Sequence, residues 1–470
     1  MSGLYRIFLQ IVHKSVSRPT AEPKRRPWSD KKGMVNIMAG YDCKRTAIGD
    51  GVWFNSIIDK RYKTNRVSVS LVLPLQRETA SVHALLPNIL RKGTKSCPDF
   101  TEFSKKLAML YGAYIGYGVS AIGDCQVITL STGVIDDSYA LNGEPLLAQA
   151  SKILSEVVLD PVLDDSVFRE NDVELEKQSL IDLIESEINE KRQYALNRAM
   201  SVLCADEPAG VNKYGYIEDV KKITPASATE AYHTLIKTAR VEIMFVGCGN
   251  PAEAVEIFRN AFAKTERTPA VFSPFAITRL TTLKEETDRM NVAQSKLVLG
   301  FCTDTAPDDN SLDTMRLMLA LYGGTPSSKL FLNVREKLSL CYYCAARPNV
   351  SKGIAFVDCG VEHANIEKAK EEILHQLDCI KKGEFTDEEL DHAKLSMINS
   401  FRSVGDSPAA VESWYLAQVL YNTTRSPEME AERISVVTRN EIIEAAKKMK
   451  LAAVYLLTGE DNSAERGVTE

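Results

Sequence analysis

The residues best suited to metal or nucleophilic chemistry are few in this chain and poorly spaced for it. Six histidines, at positions 13, 83, 233, 363, 375 and 392, include no pair three or four residues apart. A helix that grips a metal ion needs two imidazoles one turn apart, so no local imidazole grip is on offer. Ten cysteines are scattered from Cys43 to Cys379, and only Cys341 and Cys344 form a CxxC pair. That pattern indicates neither a disulfide framework nor a zinc ribbon, and it suits a reducing compartment. A redox CxxC needs a helix N-terminus after a strand. Cys341-Tyr342-Tyr343-Cys344 instead follows a helical run and sits among apolar residues, so buried free thiols are expected. Asp182 and Glu185 lie in a segment dense with Glu170, Asp172, Glu174, Lys177, Glu187 and Glu190, which reads as a solvated helix face. Taken alone, Arg335 beside Glu336 and Lys337 is an exposed helical charge and Tyr342 a core aromatic.

The composition narrows the partners. A chain of 470 residues with 44% hydrophobic and 26% charged residues has the balance of a globular protein and is too long for one ordinary core. A formal net charge of -6 argues against nucleic acid, because basic residues concentrate only in the first thirty or so positions. No stretch reaches the roughly 18 apolar residues of a membrane span, so no membrane partner is expected. The opening MSGLYRIFLQIVHKSVSRP is amphipathic and basic, with Arg6, Lys14 and Arg18. Residues 1–44 are therefore set aside as a tail or a mis-called start.

The elements that must position these residues come in two series. VSVSLVLPL after Asn65 reads as a buried strand, ALLPNIL as a helix stopped at Lys92-Gly93-Thr94, and TEFSKKLAMLYGAY as a second helix. IGYGVSAIGD and CQVITLSTGV read as paired strands; long helical runs and the strand VEIMFVGCG close the half. The second half repeats the order: KLVLGF, DTMRLMLALYGG, SSKLFLNVREKLS, CYYCAARP, GIAFVDCGV, two helices, and AAVYLLTG. Ile89 to Ser96 and Ala320 to Ser327 occupy matching points of the two series. A duplication follows, with residues 45–264 and 281–470 as the halves and 265–280 as a proline-containing linker.

Two similar halves, a helix ending in a Lys-Gly-Thr turn, and SSKLFLNVRE followed by an aromatic strand together resemble the insulinase/pitrilysin metallopeptidase family over roughly residues 45 to 465. RYKTNRVSVSLVLPL and YGGTPSSKLFLNVREKLSLCYY are similar to its non-catalytic YfmF-like branch, which occurs with a catalytic sister chain. The resemblance implies an α+β fold of two homologous domains, each an antiparallel sheet with helices on one face. It further implies a half-clamshell around a chamber, with substrate peptide adding as a strand to a sheet edge.

Catalytic relatives carry HxxEH one helix before the Lys-Gly-Thr turn, two imidazoles gripping zinc and a glutamate polarising water. The matching window here is Ala84-Leu85-Leu86-Pro87-Asn88. Ala84 and Asn88 stand at the ligand positions and Pro87 at the base position, so none can do the family chemistry. His83 is one residue early, about 100 degrees round the helix, and is expected to be an ordinary, partly exposed histidine. Glu176 fits the supporting acid of the family pattern, but Leu183 stands seven residues later where the third ligand belongs. Arg335 and Tyr342 match the spacing of a family pair that holds substrate carbonyls near zinc, while Tyr343 should face the other side of its strand.

The reading is a zinc-lacking subunit with no cofactor of its own. It would pair with an HxxEH-bearing sister that holds the zinc, bind peptide substrate, and complete the shared site with Arg335 and Tyr342. A bacterial cytoplasmic setting is favoured over a mitochondrial one, since the short Tyr322-Gly323-Gly324-Thr325 turn does not resemble a processing-peptidase glycine-rich loop. The rivals are a scaffold protein with no peptidase role and a self-sufficient peptidase with atypical ligands; Pro87 at the base position weighs against the latter.

Overall fold

A computed structural model describes residues 36–38, 43–279 and 281–459. The first half runs β1 (Asn36–Met38), β2 (Cys43–Gly49), β3 (Val52–Ile58), β4 (Thr64–Pro74), α1 (Arg77–Leu90), α2 (Phe100–Met109), β5 (Tyr114–Ile122) and β6 (Cys125–Ile135). It continues through α3 (Leu146–Leu159), α4 (Glu170–Ser186), α5 (Lys191–Leu203), α6 (Ile217–Val220), α7 (Pro225–Thr238), β7 (Arg240–Gly247) and α8 (Ala252–Phe262). The second half has β8 (Lys284–Arg289), β9 (Ser295–Cys302), α9 (Leu312–Leu319), β10 (Cys341–Asn349), β11 (Ile354–Val361), α10 (Ile366–Lys382) and α11 (Asp387–Arg402). It ends with α12 (Pro408–Tyr421), α13 (Pro427–Ser435), α14 (Arg439–Lys448) and β12 (Lys450–Thr458). Local chemistry sets many of these boundaries. Thr224, Thr386 and Thr438 each close a capping box with the residue three positions on, and Gly383, at φ 78°, ends α10.

The two sheets share one strand order. The first reads β1-β2-β3-β7-β4-β6-β5 and the second β10-β11-β9-β12-β8. Reversing the second aligns β8 with β3, β12 with β7, β9 with β4, β11 with β6 and β10 with β5. The sheets are mainly antiparallel, as expected, and within them β3 pairs with β7, and β8 with β12, in parallel. In each half the last strand returns between two earlier ones, β7 between β3 and β4 and β12 between β8 and β9, after helices long enough to carry a parallel crossover. Even the turns match, for Thr94 and Ser96 hydroxyls bond at 3.0 Å and Thr325 and Ser327 at 3.2 Å.

The expected one-sided helix layer holds only for each half's own helices. The far face of each sheet is covered by a helix from the other half. α5 lays Ala195, Ala199, Val202 and Leu203 on Val298, Phe356, Ala453 and Tyr455 of the second sheet. α12 lays Leu416, Ala417, Leu420 and Tyr421 on Val72, Cys125 and Val127 of the first. Polar ties accompany both exchanges: Arg192 of α5 pairs with Asp358 and Arg66 of β4 with Glu412. Beneath α12, the fully buried Glu242 is held by Arg45 at 2.7 Å, Arg240 at 2.6 Å and Asn55 at 3.0 Å. One long helix was expected from Val173 to Leu203; a single tight turn at Glu187–Asn189 divides it and sends α5 across to the other half.

The segment expected as a linker is docked rather than free. Thr268 and Ala270 donate backbone hydrogen bonds to Lys237 and Thr238, and the Pro274 carbonyl accepts from Asp124. Lys352, almost wholly buried, joins Asp124 to Glu207 across the halves. Of the tail expected over 1–44, residues 1–35 and 39–42 lie outside the described residues. Asn36–Met38 and Cys43 onward are strand instead, pairing as β1 and β2.

Candidate functional site

The window read from the sequence as a degenerate zinc motif occupies the last turns of α1, a helix buried on nearly all sides. Ala84, Leu85, Leu86 and Pro87 are buried and Asn88 is partly exposed. Pro87 lacks an N–H and has only an aliphatic ring, so it can neither bond back to the preceding turn nor accept a proton. Glu176 comes to this helix from α4 and is buried, but its carboxylate meets the Lys92 ammonium at 2.6 Å. Lys92 belongs to the turn that ends α1, and nothing in the sequence marks it as the partner of Glu176. Leu183, where the sequence reading placed a third ligand position, is an exposed side chain on α4. Asp182 and Glu185 are exposed, as a solvated face requires, and Asp182 accepts from Gln178 at 2.7 Å. Among the described residues no group of three or more His, Cys, Asp or Glu is arranged to hold a metal ion.

His83 corrects an expectation. It is buried, not partly exposed, and its Nδ1 lies 3.3 Å from Gln126 Oε1. Burial pushes its pKa down to about 4, against the hydrogen bond to Gln126, so the ring is neutral at pH 7. Gln126 Nε2 in turn donates to the Ala80 and Lys213 carbonyls, at 3.0 and 2.6 Å. His83 therefore knits α1 to β6 and the loop before α6.

Arg335 and Tyr342 meet at the other end of the chain. Both line an open cleft of ≈ 390 Å³ with Glu336, Ser339, Leu340, Cys341 and Glu362. Two local irregularities bring them there. Residues Ala320–Gly324 and Leu330–Lys337 wind as wide π-helical turns instead of the α-helix expected over SSKLFLNVREKLS, and Arg335 rides on the second. Such turns are uncommon and recur at functional sites. Tyr342 sits in a β-bulge: Cys341 pairs with Val361 and Tyr343 with Gly360, which leaves Tyr342 without a partner on β11. A bulge re-aims the extra side chain, and Tyr342 is 62% exposed. Its hydroxyl donates to Glu362 Oε1 at 3.2 Å. The Arg335 guanidinium lies 4.5 Å from the centre of the Phe331 ring, and its Nε is 3.5 Å from Glu336. Tyr343 lies beneath α5, with the Arg192 guanidinium 3.9 Å from its ring centre. Glu362 went unnoticed in the sequence; only the strand pairing shows that the residue after β11 faces the bulge.

Both sheets end in an open edge strand, β5 and β10, among the described residues. β5 pairs with β6 without a break in register and exposes Tyr114 and Tyr117. The Arg91 guanidinium, just past α1, lies 4.8 Å from the Tyr117 ring centre and ties this edge to the degenerate window.

Known proteins share this architecture. Residues 222–397 match the family described as the peptidase M16 inactive domain. The chain is 28% identical over 414 residues to "Probable inactive metalloprotease YmfF" of Bacillus subtilis (strain 168), covering 88% of this chain and 97% of that one. A conserved protein from Enterococcus faecalis V583 superposes with a TM-score of 0.83 at 29% identity, covering 90% of this chain and 99% of that one. The peptidase M16 inactive domain structure from Pseudomonas fluorescens has a TM-score of 0.70 at 18% identity, covering 89% and 98%, and speaks to the fold alone. The chain has an α+β fold and is similar to the insulinase/pitrilysin family, M16. Its similarity is to proteins described as inactive within that family.

Proposed function

We propose that this chain is the non-catalytic, peptide-binding subunit of a two-chain peptidase, and that Arg335 and Tyr342 complete the active site of a partner bearing HxxEH and its zinc. The observation that carries this reading is the shared cleft. A π-helical turn and a β-bulge, each costly to regular structure, combine to present a guanidinium and a phenol side by side on an open surface. A core-packing role explains neither side chain. The Arg335 fork and the Tyr342 hydroxyl both donate, so a peptide carbonyl or the oxyanion formed from it is the ligand they suit. Tyr342 would transfer its hydrogen bond from Glu362 to the substrate oxygen.

Peptide would add along β5, whose unbroken register and open edge offer main-chain hydrogen bonds with little demand on sequence. β10 is less suited, since the bulge at Tyr342 interrupts it. With Ala84, Pro87, Asn88 and Leu183 in place of the motif, the cleaving zinc belongs to the sister chain. The scattered cysteines, in no disulfide among the described residues, fit a cytoplasmic setting.

The test is metal content and peptide hydrolysis on the purified chain, alone and mixed with an HxxEH-bearing sister. Zinc on the sister only, with cleavage only in the mixture, supports the two-chain reading. Stoichiometric zinc and chelator-sensitive cleavage by this chain alone would overturn it. A mixture no more active than the sister alone would favour the scaffold.

A further inference from the structure

The bulge that exposes Tyr342 has a second effect on the opposite face of the sheet. In a regular strand, residues three apart point to opposite faces. The extra residue at Tyr342 shifts the alternation by one, so Cys341 and Cys344 share a face. On β11, Cys359 stands directly across from Cys344, two residues from Val361, the partner of Cys341. Three thiols thus gather on one side of two neighbouring strands, all within one apolar core. Their access differs. Cys341 also lines the cleft beside Arg335, whereas Cys344 and Cys359 are closed off behind it.

We propose that Cys341, Cys344 and Cys359 form a hydroperoxide-reactive thiol site, in which Cys341 meets the oxidant from the cleft and a thiol behind it resolves the product as an intrachain disulfide. The geometry supplies the three requirements: an approach, a cation beside the reacting sulfur, and a second thiol in reach. Electrostatics point the same way. Hydrogen bonds from Cys344 and Cys359, aided by the Arg335 guanidinium, lower Cys341 to about 4 against the cost of burial, while burial holds Cys344 well up.

The steps balance. The Cys341 thiolate attacks a peroxide oxygen; the S–O bond forms, the O–O bond breaks, and the leaving oxygen takes a proton to depart as water or an alcohol. Sulfur is oxidised by two electrons to the sulfenic acid. The Cys344 thiol then attacks that sulfur, the S–S bond forms, the S–O bond breaks, and water carries away the hydroxyl and the thiol proton. The Cys359 thiol can then attack Cys344: the Cys344–Cys359 bond forms, the Cys341–Cys344 bond breaks, and the Cys359 proton is given up to water as the Cys341 thiolate is released. Cys344 and Cys359, directly opposed across β10 and β11, are spaced close to what a disulfide spans. The chemistry is read on the isolated chain and does not depend on a partner or a peptide.

The test treats the wild-type chain with dilute hydrogen peroxide and maps the products by mass spectrometry, with dimedone as a trap. A disulfide within the trio is expected, with the partly exposed Cys97, Cys248 and Cys379 left reduced. The Cys341→Ser variant should form no such bridge, and the Cys344→Ser/Cys359→Ser variant should hold a dimedone-trapped sulfenic acid at Cys341. Should those variants fail to fold, iodoacetamide at pH 5 decides on wild type: Cys341 should alkylate about tenfold faster than Cys379, since thiolate fraction outweighs the lower nucleophilicity of a low-pKa thiol. Oxidation or alkylation of Cys97, Cys248 or Cys379 ahead of Cys341 overturns the proposal, as does a sulfenic acid that persists at Cys341 with both resolving thiols present.

Discussion

Lys92 Nζ lies 2.6 Å from the carboxylate of Glu176, the acid expected from the sequence to support a metal site. An ammonium group at that spot compensates the charge that a metal centre would otherwise meet, and it also repels a cation. The acid persists here as half of a nearly buried ion pair.

Breaking that pair should therefore cost stability rather than activity. Lys92→Met leaves the buried Glu176 uncompensated and is expected to destabilise the fold by about 2–4 kcal/mol in urea unfolding. The double variant Lys92→Met/Glu176→Gln should recover much of the loss, because neither charge is then left alone. A strictly additive double variant would show that the two side chains do not interact.

His83 should impose a pH dependence. Its folded pKa, about 4, lies below the ordinary 6.5, so the unfolded chain takes up the proton first as pH falls. The stability His83 contributes is full above pH 6.5 and declines by about 3 kcal/mol as pH drops toward 4. Urea unfolding of wild type and His83→Gln at pH 7, 5.5 and 4.5 should show their difference shrinking with acid. A constant difference would place the ring in water.

The exchanged helices predict that the halves melt together. With α5 covering the second sheet and α12 the first, unfolding either half strips an apolar face from the other. Calorimetry should give one transition, with van't Hoff and calorimetric enthalpies in agreement. Residues 45–264 expressed alone should aggregate or stay unfolded. Two separable transitions would contradict the exchange.

Much of this was legible from residue spacing. Strands such as Val67 to Leu73 and the Lys92-Gly93-Thr94 stop announce themselves through apolar alternation and a glycine, and Pro87 needs no structure to be disqualified as a base. Other features depend on partners far along the chain. β8, Lys284–Arg289, alternates only among charged and polar residues and shows no apolar face. β2 hides because its inward Arg45 is polar and meets Glu242 only once β7 arrives. Ala195 and Ala199 say that one face of α5 is buried, but not that the other half buries it. The bulge at Tyr342 exists only relative to the register of β11, so neither the exposure of that phenol nor the gathering of three thiols behind it could be read from a CxxC.

Arg335 and Tyr342 should matter little to the fold. Arg335→Ala and Tyr342→Phe remove groups at an open surface, and each is expected to change stability by no more than about 0.5 kcal/mol. Larger losses in thermal unfolding would make the cleft a structural feature.

The most direct measurement is peptide cleavage by an HxxEH-bearing sister subunit in the presence of this chain, comparing wild type with Arg335→Ala and Tyr342→Phe at equal complex concentration. Wild type should switch on cleavage, and each variant should lower kcat about a hundredfold while still binding the sister, as expected for a donor lost from an oxyanion site. Full activation by both variants would contradict the claim that these two side chains complete the partner's active site.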